Sequence, residues 1–329
     1  MSAYVETRIV DPDEAEQRLD RWFKRHFPAI AHGQLSKLLR TGQIRVDGKR
    51  AKANQRLEAG QAVRIPPLGD VQPHLQFAKP VRRDTETGAE LIEAVLYRDD
   101  EMIAINKPAG LAVQGGSGTT KHIDGALDSL RFGASERPRL VHRLDKDTSG
   151  VLVLARSQRA ARRLTHAFRA KSALKVYWAL VVGEPKPASG QIELPIAKLP
   201  GKAGEKMVVD RENGQSAITR YVTLEKLGRR AALVALYPVT GRTHQLRVHM
   251  EAIGTPILGD GKYGGAEAFL QGEGVSRKLH LHARAIRIPD EDGVPVEVIA
   301  PLQDHMIRSF EFFGLSLELD GSPFEPFEE

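Results

Sequence analysis

The sequence predicts an α+β protein of two domains, and three observations point that way. Its 329 residues suit about two units of ~100–200 residues each. Short Val-, Ile- and Leu-rich runs alternate with stretches of helical periodicity. A Pro-containing polar stretch, residues 67–90, reads as a linker between a basic domain, residues 1–66, and a longer one, residues 91–329. Strand patterning is compatible with this fold but does not say how the strands pair.

The first domain opens with a helix expected from Asp13 to His26, where Leu19, Trp22, Phe23 and His26 recur at three-to-four spacing. A second helix is expected from His32 or Gly33 to Thr41, with Leu35, Leu38 and Leu39 inward and Gly42 as its stop. Asp47-Gly48, between Ile44–Val46 and Lys49–Ala51, is a strong hairpin signal. Ala62–Ile65 reads as a closing strand. Lys37, Arg40, Arg45, Lys49, Arg50, Lys52 and Arg56 crowd into about twenty residues. Such a cluster can neutralise several phosphates, with binding that falls steeply in salt. On charge alone, a solvated basic face explains it equally well.

In the second domain, Val95–Tyr97 and Met102–Ile105 read as strands around Arg98-Asp99-Asp100. The Gly-rich run from Asn106 to Gly118 has neither a GKS ending nor a GxGxxG unit, so it is not a nucleotide signature. His142-Arg143-Leu144-Asp145-Lys146-Asp147-Thr148-Ser149-Gly150 then runs into the apolar strand Val151–Leu154. A solvated turn needs neither Leu144 inside it nor so apolar a strand beside it. An aspartate with basic neighbours is therefore presented from a loop braced by the core. Gln158 to Lys171 reads as a helix with an Arg-rich face, and Lys175 to Gly183 as a strand containing Tyr177. Residues 191–215 suggest a hairpin-bearing loop, and Ala217–Leu224 and Ala231–Val239 two strands. Arg284–Ile288 and Val294–Ile299 suggest a hairpin through Asp290–Gly293, and the acidic tail from Ser316 is expected to be poorly ordered.

Composition excludes whole classes. The hydrophobic fraction is 41%, and no run approaches the ~18 apolar residues of a membrane span. The acidic, polar start lacks a signal pattern, so a cytoplasmic protein with no membrane partner is expected. Absence of cysteine removes disulfides, zinc–thiolate sites and cysteine nucleophiles together. His244 and His249 are five apart with no glutamate between them, and with His280 and His282 they form no coherent ligand set, so no metal is expected. The net charge of +6 fits a polyanionic partner but is weak evidence alone.

HRLDKDTSGVLVLA closely resembles the signature loop of the RluA/RluC-type pseudouridine synthases that modify ribosomal RNA. NKPAGL, K-x-Y-x-A-L-V, GRTHQLRVH and LHLHA resemble further elements in family order, from about Arg18 to Pro301. The segment Arg18–Pro66 resembles a small alpha-L RNA-binding module. QGGSG is similar to the RluC-like branch, where His is expected at the place of Gln114. The resemblance implies a catalytic domain with a mixed, largely antiparallel sheet flanked by helices. It implies isomerisation of uridine to pseudouridine without a cofactor, with Asp145 as the catalytic residue. By the same resemblance Tyr177 faces the target base, Arg247 pairs with Asp145, and Leu281 lines the base pocket. His142, Arg143 and Arg242 would hold RNA around it, as would Lys37, Arg40, Arg45 and Lys49 in the N-terminal module. The implied partner is ribosomal RNA of the large subunit, bound by a monomeric chain.

The chemistry asks for an ionised carboxylate beside the ribose, to attack the anomeric carbon or to remove a sugar proton. A guanidinium nearby would favour the charged form. Two other classes fit parts of the sequence. A noncatalytic ribosome-assembly factor would need the basic module but not Asp145, Tyr177 and Arg247 together. A glycosidase would need a positioned acid–base pair, for which Asp147 beside Asp145 is a weak case.

Overall fold

The computed structural model describes residues 5–28, 30, 32–68, 85–115, 121–199, 206–270, 275–317 and 321–328. The chain falls into two compact units, residues 1–82 and 83–329.

The first unit contains β1 (Glu6–Ile9), α1 (Leu19–His26), α2 (His32–Arg40), β2 (Arg45–Val46), β3 (Lys49–Arg50) and β4 (Ala62–Ile65). Its strands lie in the order β1-β4-β2-β3, and each pair is antiparallel. Asp47 and Gly48 both have positive φ, 48° and 73°, which is the geometry of a type I′ hairpin turn. Leu19, Trp22, Phe23, Ile44, Leu57 and Val63 are buried together under the helices. The first helix starts later than the periodicity suggests. Glu16 adopts a left-handed conformation, φ 63°, which ends the preceding 3-10 turn at Pro12–Glu14. The buried Glu14 carboxylate instead folds back over α1, accepting from Trp22 Nε1 at 2.7 Å and lying 2.7 Å from His26 Nε2. Leu68 is buried in this core.

The second unit begins with α3 (Thr85–Glu93), β5 (Val95–Arg98), β6 (Met102–Lys107), α4 (Ile123–Ala126) and β7 (Arg139–Leu140). It continues through β8 (Ser149–Ala155), α5 (Gln158–Ala170), β9 (Leu174–Val182), β10 (Ser189–Glu193), β11 (Ile196–Lys198) and β12 (Met207–Val209). It closes with β13 (Ile218–Leu227), β14 (Ala231–Pro238), α6 (Gln245–Ala252), β15 (Leu281–Pro289), β16 (Pro295–Ile299) and α7 (Asp304–Phe313). Among the described residues, the sheet runs β10-β13-β14-β9-β15-β8-β6-β5, with β16 beside β15 and β7 beside β8. Every pairing is antiparallel except β15 with β8. The mixed, largely antiparallel sheet is therefore the observed one.

All seven residues of β8 are buried, as expected for a central strand covered on both faces. Leu152 and Leu154 face one core, with Ile103, Tyr177 and Leu281, while Val151 and Val153 face another under α5.

Two expectations need correction. Residues 85–90, read as linker, belong to α3, whose Leu91 is fully buried in the second unit; residues 69–84 lie outside the described residues. The tail from Ser316 is not loose in its described part. Phe324 is buried with Phe310 and Trp178, whose rings stack at 6.1 Å, and Glu328 pairs with Arg287 at 2.6 Å. Acidic composition concealed aromatic residues that had apolar area to bury.

Candidate active site

Asp145 stands on the loop that feeds β8, and this loop is fixed from three sides. Leu144 is buried in the core. Gly150 has φ 106°, and a Cβ there would collide with the Ala283 backbone of β15, so only glycine allows the close approach. The third hold is Lys107, fully buried at the end of β6. Its Nζ donates to the carbonyls of Pro108, Leu111 and Lys146 at 2.8, 2.7 and 2.9 Å, which occupies all the donors of an ammonium. Gly110 N–H adds a bond to the Lys146 carbonyl at 2.9 Å. The NKPAGL loop is thus stitched to the Asp145 loop. Burial draws Lys107 down to about 7, against the pull of Asp147 and Asp145. A lysine in a loop reads as a surface charge, and so the sequence reading gave it no role.

The GRTHQLRVH stretch forms the N-terminus of α6, which the sequence reading did not recognise as a helix. Arg247, only 6% exposed, was expected from the resemblance to pair with Asp145. Its Nε and Nη2 instead donate to Asp260 at 2.8 and 2.6 Å. Burial works against the guanidinium's charge, but Asp260, and after it Asp145, more than offset this and raise its pKa. Arg247 therefore acts on Asp145 as a nearby charge, while Asp260 fixes its orientation. Asp260 is only 1% exposed, and it lies in a stretch with no periodic signal.

His244 caps α6 in a left-handed conformation, φ 54° and ψ 19°. Its Nε2 is 3.9 Å from Asp145 Oδ2, and its Nδ1 is 2.7 Å from the Tyr263 hydroxyl. Burial, then Arg247, Lys262 and Arg143, push its pKa down to about 3, so it is neutral near pH 7. His249 turns into the interior, with Nδ1 2.9 Å from Thr219 Oγ1 and Nε2 2.9 Å from the Leu194 carbonyl.

Asp145, His244 and Arg247 line a cavity of about 470 Å³. Tyr177, on β9 opposite Leu236 and Ala283, supplies an aromatic wall, and Leu281 an aliphatic one. Burial, with Asp145's charge adding to it, pushes the Tyr177 phenol well up. It is held protonated, so it is a ring face and a donor rather than a resting base. Arg143 and Arg242 line the same cavity from exposed positions. Arg242 Nε donates to the Ser216 carbonyl at 3.0 Å. His142 also lines it, but its Nε2 accepts from Val153 N–H at 2.8 Å and its ring stacks on Phe168. Burial, then Lys175, lowers its pKa to about 3. His142 is thus a neutral brace for β8 rather than a cation. A second cavity of about 570 Å³ meets the first at Asp145, His244 and Arg247, with Lys262, Arg277 and Lys278 on its wall.

In the first unit, Lys37, Arg40 and Lys49 are exposed on α2 and β3. Arg45 is exposed too, but its Nε and Nη1 donate to the carbonyls of Gly42 and Gly48 at 3.2 and 3.0 Å, so it also ties the hairpin together. Gln114 is exposed; the GGSG that follows lies mostly outside the described residues.

A family model described as RNA pseudouridylate synthase matches residues 101–252, which holds Asp145, Tyr177 and Arg247. A ribosomal large subunit pseudouridine synthase C of Rickettsia typhi is 38% identical over 83% of this chain and 89% of its own. The one from Escherichia coli (strain K12) is 37% identical over 93% of this chain and 96% of its own. Among solved structures, human RNA pseudouridylate synthase domain containing 4 superposes with a TM-score of 0.60 at 32% identity, over 70% of this chain and 97% of that one. With matches of this extent along both chains, the protein belongs to the pseudouridine synthases of the RluC type, enzymes that isomerise uridine in RNA.

Proposed function

We propose that this chain converts uridines of large-subunit ribosomal RNA to pseudouridine, with Asp145 as the reacting carboxylate and no cofactor. The observation that carries it is a carboxylate on a triply braced loop, at the meeting point of two cavities lined by basic side chains. The relatives' names supply the substrate class.

The reaction breaks the bond from ribose carbon 1′ to uracil nitrogen 1 and forms one from the same carbon to uracil carbon 5. The carbon 5 proton leaves to solvent and nitrogen 1 gains one. Asp145 acts on the sugar, by attack at carbon 1′ or by removing a sugar proton. Arg247 keeps it ionised through charge. Tyr177 and Leu281 hold the detached uracil while it turns. Taking the base from its stack costs a few kcal/mol, which Arg143, Arg242 and the Lys262, Arg277 and Lys278 wall would offset through phosphate contacts. The exposed Lys37, Arg40, Arg45 and Lys49 of the first unit add further RNA contact.

The test uses ribosomal RNA tritiated at carbon 5 of uridine. The protein should release tritium to water from large-subunit transcripts, and Asp145→Asn should cut the rate by at least ~10²–10⁴-fold with RNA binding retained. Normal release by the variant would remove Asp145 from its role. No release from large-subunit, small-subunit or transfer RNA, with binding intact, would favour a noncatalytic assembly factor. Free uracil as product would indicate a glycosidase.

A further inference from the structure

His244 carries more constraint than a helix cap needs. A left-handed backbone at a residue with a Cβ is unfavourable by about 1–2 kcal/mol. Strain of this kind persists where the surroundings over-determine it, and it clusters at active sites. Here the surroundings are specific. The Tyr263 oxygen accepts a bond from Met207 N–H, on β12, at 3.1 Å, and its hydroxyl proton is available to His244 Nδ1, 2.7 Å away. With Nδ1 accepting, the neutral imidazole carries its proton on Nε2. That N–H faces Asp145 Oδ2 at 3.9 Å. The opposite tautomer would aim a lone pair at a carboxylate. The distance is beyond a hydrogen bond, and side-chain rotation of about an ångström closes it, as catalytic bonds in unliganded enzymes commonly do.

We propose that His244 is a positioning residue for Asp145: Tyr263, anchored by the β12 backbone, fixes it as the Nε2–H tautomer, and that N–H holds the carboxylate ionised and aimed at the sugar. This rests on Asp145 being the reacting carboxylate. The division of labour follows from geometry. Arg247 has spent its Nε and Nη2 on Asp260, so it supplies charge, whereas His244 supplies a directed donor without adding charge. The groups facing His244 are Asp145 and Arg143 from the loop before β8, Arg247 from α6, and Lys262 and Tyr263 from the loop after it. Burial first, and then the cations among them, keep the imidazole neutral, so it remains a donor with a fixed direction.

The experiment has two readouts. Imidazole nitrogen NMR on the full chain labelled at histidine should show His244 as the Nε2–H tautomer, with the preference weakened in Tyr263→Phe. Tritium release should fall about 10²-fold in kcat for His244→Ala, the effect of an ångström's misplacement, with KM little changed. The acid limb of its pH profile should move up, because Asp145 has lost a donor to its charged form. His244→Gln, whose amide N–H reaches the same place, should restore both. Tyr263→Phe keeps the ring and should shift the limb in the same direction by less, which serves as the test if His244→Ala does not fold. An Nδ1–H tautomer in the wild type, or an acid limb unmoved in His244→Ala and Tyr263→Phe, overturns the proposal. An unmoved limb while Asp145→Asn is inactive overturns the positioning role alone. Full activity in Asp145→Asn overturns the role of the carboxylate, and the positioning role with it.

Discussion

The two units carry their positive charge in opposite ways. In the first, Lys37, Arg40 and Lys49 stand exposed on a small closed core. In the second, Lys107 and Arg247 are buried, one held by three backbone carbonyls and the other by Asp260. An exposed charge is worth little to the fold and acts at a distance through a screened field. A buried one is tolerated only because its partners are in place, and removing a partner leaves it uncompensated. The first pattern suits a surface that grips a polyanion, and the second a site whose geometry must not yield.

The sharpest test of this contrast is Asp260→Ala, which strands Arg247. It should lower the unfolding free energy by about 3–5 kcal/mol, read by urea denaturation, and cut activity although Asp260 is not placed on the sugar. A loss under ~1 kcal/mol, the range of exposed pairs, would erase the distinction.

The pH response tests the same contrast through the buried histidines. His142 and His282 are lowered to about 3 and His280 to about 4, each chiefly by burial, as is His244. Folded values below the unfolded 6.5 mean the unfolded chain binds more protons. The stability these residues contribute is therefore complete above pH 6.5 and is lost as pH falls. Each can lose up to about 1.4 kcal/mol per pH unit below the unfolded value. Urea denaturation between pH 6.5 and 5, where most carboxylates remain ionised, should show a steep decline. A flat profile would mean these histidines are not buried neutral.

The smallest effect belongs to the exposed set. Lys37→Glu should change stability by no more than about 0.5 kcal/mol and lower the salt slope of RNA binding by about 1. Arg45→Glu should do the same to the slope but cost more stability, since Arg45 also ties Gly42 to Gly48. An unchanged slope for Lys37→Glu would make that face merely solvated.

What could be read from the sequence followed the same divide between contiguous and dispersed information. The Asp145 loop and β8 were legible because loop, glycine and apolar run are adjacent in the chain. The Asp47-Gly48 hairpin was legible because a turn is a local event. Asp260 and Tyr263 were not, because their importance comes from α6 packing, which brings a patternless stretch against Arg247 and His244. Lys107 was misjudged because its environment consists of backbone carbonyls that no side-chain pattern reports. The strand β1 escaped notice because an edge strand with alternating exposure needs no apolar signature, and Phe324 because the acidic tail outweighed a few aromatic residues.

The parallel pairing of β8 with β15 bears on how the enzyme comes into being. Ser149 Oγ lies 2.8 Å from His282 Nδ1, across 133 residues of chain. Contacts of such separation form late, since the intervening loop must close before they reward it. At about 5–20 residues per second of synthesis, Asp145 leaves the ribosome several seconds before the strand on which Gly150 rests. Chains ending before β15 would carry the Asp145 loop without its floor, so that loop reaches its packed form only after β15 has been made.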